Sequence, residues 1–120
     1  MSERTQNIIA WIGSIVVAAL VGLPGFTKFA MAADWVERFE GWGLPGSMVM
    51  VVGAMELGGA ILLLIPKFAK WGGVVVAMAM LGASGTHLLN AEGARVPYTL
   101  VLAFTALGVA IFRHRHEDQG

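Results

Sequence analysis

Four apolar runs, at residues 8–26, 47–65, 71–89 and 96–112, take up most of a 120-residue chain and decide what it can become. Each is long enough to cross a bilayer, and at 1.5 Å per residue the second would reach roughly 28 Å as a helix. Hydrophobic residues make up 57% of the chain against 13% charged, and the mean hydropathy is +0.72, far from the balance of a water-soluble domain. The fourth run carries Thr99 and Thr105, whose hydroxyls a helix backbone or a neighbouring helix can satisfy.

Residues 66–70 and 90–95 link neighbouring runs tightly, which makes the neighbours antiparallel. The expected fold is an all-α, four-helix up-down membrane bundle occupying residues 1–120 as one domain, with transmembrane helices at about 8–28, 47–65, 71–89 and 96–112. Between the first two runs, Trp35, Val36, Phe39 and Trp42 alternate with Asp34, Glu37, Arg38 and Glu40. That pattern predicts a short amphipathic helix lying along the membrane surface. Residues 41–46 then turn the chain back. They fit the G-x-G-x-x-G pattern, but no strand precedes them, so they read as a turn and not as a dinucleotide site. The small residues Ala30, Met31 and Ala32 have the spacing of a signal cleavage site, yet the apolar run before them exceeds a signal's core and Lys28 interrupts the approach, so the first run is expected to be retained.

With four spans, Arg4, Lys67, Lys70, Arg113 and Arg115 share one side of the membrane and Lys28, Arg38 and Arg95 the other, five against three. The bias places both termini in the cytoplasm. Trp35, Trp42 and Tyr98 at one face, and Trp11 and Trp71 at the other, suit interfacial belts. The formal charge is zero without a basic block, which argues against nucleic acid as a partner. The absence of cysteine removes disulfides, thiolate nucleophiles and iron–sulfur clusters. His114 and His116 are too sparse a pair to argue for metal, and His87 is the single histidine within a run, so a bis-histidine haem inside the bundle is not expected.

Glu56, in the middle of the second run, carries the chemistry. A carboxylate at membrane depth costs on the order of 2.5 kcal/mol or more unless it is paired, protonated or turned into a cavity. Alternation of the spans puts it in the same half of the bundle as Lys28 and His87, a candidate polar cluster. Gly53, Glu56, Gly59 and Ala60 share a helix face, and Met80, Ala83, Ser84 and His87 share another. Small residues at Gly53, Gly58, Gly59 and Ala83 would let helices or a ligand approach closely, and Gly72, Gly73, Gly82 and Gly85 would do the same elsewhere. A Lys28–Glu56 ion pair would keep the carboxylate charged, and isolation would leave it protonated. Lys28 could equally snorkel to the headgroups, and His87 could satisfy itself with Asn90, backbone or water.

The order and spacing of residues 22–29, 43–45, 53–60, 62–66, 80–83 and 86–87 resemble the DoxX-like membrane proteins along essentially the whole chain. The resemblance implies a compact four-helix protein of the bacterial inner membrane associated with quinone-linked oxidation, and it carries over Lys28, Glu56, Gly58 and Gly59, with His87 a looser match. No intrinsic cofactor is expected. A quinone is the expected ligand, and electrons would have to come from a partner subunit of a redox complex. Three functional readings follow: an accessory subunit of such a complex, a noncatalytic assembly or anchoring factor, and a small proton-coupled transporter. A homo-oligomer is compatible with each.

Overall fold

The computed structural model describes residues 2–119, and their side chains through Arg113. The side chains of His114 and His116 lie outside the described residues. Every regular element among the described residues is helical: α1 (Glu3–Ala30), α2 (Ala32–Gly41), α3 (Met48–Leu63), α4 (Ala69–Leu89) and α5 (Val96–Gln119), with 3₁₀ turns at Pro66–Phe68 and Gly93–Arg95. The segments Glu3–Ala30, Pro66–Leu89 and Gly93–Arg113 are long and apolar enough to cross a membrane. At 16 residues α3 is shorter than the 47–65 run from which it forms. Its rise is about 24 Å.

The local causes of these boundaries are visible. Ser2 caps α1 by accepting from the Thr5 amide at 3.1 Å. Pro66 pushes Ile65 into extended backbone (φ −105°, ψ 113°), so the second apolar run stops being helical before its last residues. Gly43 takes φ +81° in the return between α2 and α3, the left-handed geometry that the glycine-rich stretch 41–46 supplies.

α1 packs against α3 and α5, and α4 packs against the same two, so these four helices close a ring, with α2 resting on α1 and α3. Most of the residues between them are small: Ala10, Val17, Ala18 and Val21 from α1, Ala60 from α3, Val76, Ala77 and Ala79 from α4, and Ala103, Ala106 and Ala110 from α5 are buried, with Leu63, Met80 and Leu102 as larger members of the same core. Most of the large apolar side chains point outward, with Leu23 66% exposed, Met78 60% and Phe104 65%. In water this distribution would be a severe liability. In lipid, where burying leucine gains little and close backbone packing gains more, it is the expected one.

Glycine makes the closest approaches. A Cβ at Gly25 would come within 2.8 Å of the Leu57 amide nitrogen, one at Gly72 within 2.5 Å of that of Leu63, and one at Gly73 within 2.6 Å of the Ala106 carbonyl oxygen. Gly53 and Gly59 are likewise in contact, with Lys28 and with Val76. Gly58, Gly82 and Gly85 depart from expectation, since a Cβ at any of them would meet nothing within 4 Å. Gly58 lies two residues beyond Glu56, and residues so spaced do not share a helix face.

At the end of the ring where α1 starts, Arg113 is 4% exposed. Its guanidinium donates to Ser14 Oγ at 3.1 Å and lies 3.9 Å from the centre of the Trp11 ring, fastening α5 to α1. A cation read from sequence as a charge at the membrane edge is here an interhelical clasp.

Candidate ligand cavity and its buried ion pair

Lys28, near the end of α1, and Glu56, midway along α3, meet where Gly25 and Gly53 let those helices touch. Lys28 Nζ lies 2.6 Å from Glu56 Oε1, and both side chains are nearly fully buried. Beyond that ammonium, Oε1 has no hydrogen-bond partner among the described residues. Of the two states open to the sequence, ion pair or isolated acid, the structure holds the pair.

α2 roofs this pair with indole. Lys28 Nζ sits 3.8 Å from the centre of the Trp35 ring, and Arg38 approaches the same ring at 4.7 Å. Trp35 Nε1 donates to Thr27 Oγ1 at 3.1 Å, which fixes the ring. Phe39 packs edge-on to Trp35 and against Trp42, and Trp42 meets His87 edge-on at 5.5 Å between centroids. Residues 35, 39 and 42 fall on one helical face by their spacing, so α2 turns an aromatic stripe inward, with Arg38 beside it in the cavity lining and the acidic Asp34, Glu37 and Glu40 on exposed positions. Trp35 and Trp42, expected as membrane-surface belts, are walls of a site.

His87 closes the other side. Its Nδ1 lies 2.9 Å from Glu92 Oε1, in the loop after α4, while Asn90 turns back to donate to the Thr86 carbonyl at 2.8 Å. The hydrogen bond from His87 holds the Glu92 carboxyl below its usual range, with the Arg95 charge assisting. A depressed carboxylate stabilises the fold above the ordinary glutamate range and loses that contribution as pH falls through the lowered value. His87→Ala is therefore expected to raise Glu92 toward the ordinary range, with the Arg95 contribution remaining. A carboxyl titration followed by NMR checks this, and an unmoved Glu92 would refute the coupling. Deeper in, Ser84 and Thr99 share a 2.7 Å hydrogen bond across α4 and α5.

Between the ion pair, the α2 roof and His87 lies a cavity of about 640 Å³. Lys28, Glu56 and His87, the three candidates from sequence, all line it, as do Trp35, Trp42 and Ala83. Gly53 and Gly59 serve helix contact near it. Most of the remaining wall is apolar, including Leu20, Met48, Met55 and Leu102. An apolar chamber with a few convergent polar groups is the ordinary design of a small-molecule site.

The DoxX-like family model matches residues 12–109, a stretch that includes all of these positions except the clasp at Arg113 and Trp11. The chain belongs to the DoxX-like family. CatD of Bacillus subtilis (strain 168), which carries a provisional oxidoreductase name, is 30% identical over 98 residues, covering 76% of this chain and 73% of CatD. A component of the phenolphthiocerol/phthiocerol polyketide synthase of Mycobacterium tuberculosis (strain ATCC 25618 / H37Rv) is 27% identical over 97 residues, or 78% of this chain. The chain spans only 4% of that synthase component's length, so the likeness concerns a small segment of a far larger protein. No solved structure gives a significant match. Family and apolar helices together make this DoxX-like chain an integral membrane protein in contact with lipid.

Proposed function

We propose that this DoxX-like protein is an accessory subunit of a quinone-linked redox complex and holds a quinone-like ligand in the cavity between α1, α3, α4 and the α2 roof. In this reading the four long helices span the bacterial inner membrane up and down, α2 lies at the outer surface, and both termini are cytoplasmic. The observation that carries the proposal is the Lys28–Glu56 pair on the wall of a large apolar chamber, with no partner for Glu56 Oε1 among the described residues besides the Lys28 ammonium. A flat ring with opposed oxygens suits that wall: Lys28 can donate to a carbonyl oxygen, Glu56 can accept from a hydroxyl, and Trp42 with the apolar side chains of the chamber offers surface to the ring.

A quinone would supply two-electron, two-proton chemistry between carbonyl and hydroxyl forms. The chain's own residues bind, orient and hold protons. Cysteine is absent from the sequence, so electrons would enter or leave through another subunit. The oxidoreductase name of CatD agrees with this direction.

Glu56→Gln, purified in gentle detergent, is expected to bind a short-chain ubiquinone analogue in its reduced, quinol form about 10–100-fold more weakly than the parent, the usual cost of removing a hydrogen bond to a charged group. Size-exclusion chromatography would show that the variant still inserts and stays monodisperse. Undiminished binding in a well-folded variant would overturn the proposal. A partner protein that copurifies without any quinone would move the assignment to an assembly or anchoring factor.

A further inference from the structure

The charges that line the cavity do not balance. Lys28, Arg38 and Arg95 are its lysine and arginine side chains, and Glu56 is its sole carboxylate among the described residues. Lys28 is matched by Glu56 at the bottom. Arg38, from α2, and Arg95, from the turn that starts α5, remain at the mouth. There the cavity adjoins a second depression of about 370 Å³ that shares Arg38, Trp42 and Arg95 with it and adds Gly41 and Glu92. Glu92 belongs to the depression and not to the chamber, and its Oε1 is engaged by His87 at 2.9 Å. Arg38 is steadied over the Trp35 ring. Two guanidiniums brought from separate elements to one rim outnumber the single carboxylate there, Glu92, on which the Arg95 charge already acts, and so leave one positive charge for an anion.

We infer that the cavity takes an anionic amphiphile, its apolar body in the chamber and its acidic group between Arg38 and Arg95. The inference rests on the cavity being a ligand site and adds the charge of the ligand's outer end. Carboxylate and phosphate oxygens both suit a pair of guanidiniums, so the acid can come from a free amphiphilic acid or from an anionic lipid.

The test uses the full chain in nanodiscs of phosphatidylcholine, where binding of palmitate is compared with that of methyl palmitate, and in a second arm uptake of phosphatidylglycerol is compared with that of phosphatidylcholine by native mass spectrometry. An acid preference of about tenfold or more in either arm is expected, the scale of a charge-assisted hydrogen bond. Arg38→Gln/Arg95→Gln should abolish it, and Lys67→Gln, which removes an exposed cation away from the cavity, should leave it intact. A preference confined to palmitate identifies a free acid as the source, and one confined to phosphatidylglycerol identifies a lipid. Equal binding of acidic and neutral forms in both arms, or a preference that survives the double arginine substitution, overturns the inference. The two proposals fail separately: a parent protein that binds the ubiquinone analogue without preferring acids defeats only this one, and a parent that binds acids but no quinone defeats only the earlier one.

Discussion

Lys28→Met is expected to lower unfolding stability by about 3–5 kcal/mol, the cost of leaving a buried charge without its partner. Glu56 would then face the neighbouring helix and the apolar chamber with no compensating cation, since Lys28 Nζ is its ion-pair partner at 2.6 Å. The double variant Lys28→Met/Glu56→Met should recover most of that loss, because replacing a whole buried pair by apolar groups of similar volume is neutral or stabilising in many proteins. The recovered protein should still have lost ligand binding. Reversible unfolding in mixed micelles, read for parent, single and double variants, gives the comparison directly. A single variant as stable as the parent, or a double variant no better than the single, would show that the two side chains do not act as one energetic unit.

Gly72→Leu and Gly73→Leu should be more damaging still, preventing accumulation of a monodisperse protein. The first added carbon at Gly72 would stand 2.5 Å from the Leu63 nitrogen and 2.7 Å from the Gly59 oxygen, and at Gly73 it would stand 2.6 Å from the Ala106 oxygen. These neighbours are backbone, which cannot swing aside, so accommodation requires α4 to withdraw from α3 or α5. Overpacking of an ordinary core costs about 1–3 kcal/mol, and a leucine forced between two backbones lies at or beyond the upper end. Gly82→Ala and Gly85→Ala supply the contrast. With nothing within 4 Å of the new carbon, they should be neutral or gain up to about 1 kcal/mol from helix propensity. Thermal stability by fluorescence-detected size exclusion separates the two classes, and similar melting for all four would contradict this packing.

The apolar helices, three of them long enough to cross a membrane, and the meeting of Lys28 with Glu56 were legible in the sequence because each was a contrast: apolar runs among few charges, and one carboxylate within an apolar run. Helix ends were less so. The first helix extends beyond its apolar run at both ends, since polar Glu3–Gln6 continue it under the Ser2 cap, while α3 loses its last residues to the proline that follows. The ion pair was one of two chemically sound options, and only the touching of α1 and α3 at Gly25 and Gly53 selects it. The Arg113 clasp was not legible, because its partners Ser14 and Trp11 sit near the other end of the chain, Ser14 being 99 residues away. The inward aromatic stripe of α2 could have been found. Its i, i+4, i+7 spacing is plain in the sequence, but the same amphipathic pattern suits a helix whose apolar side meets lipid.

The placement of the four tryptophans has one further consequence. Trp35 rests on the Lys28 ammonium and Trp42 on the edge of His87, both in the cavity wall, while Trp11 is occupied with Arg113 and Trp71 is 57% exposed near Lys70. Two indoles thus look into the chamber and two do not. The chain carries its own optical probe: with Trp11 and Trp71 replaced by phenylalanine, the remaining emission would come entirely from the cavity wall, and the filling or emptying of the chamber could be followed in real time without any label.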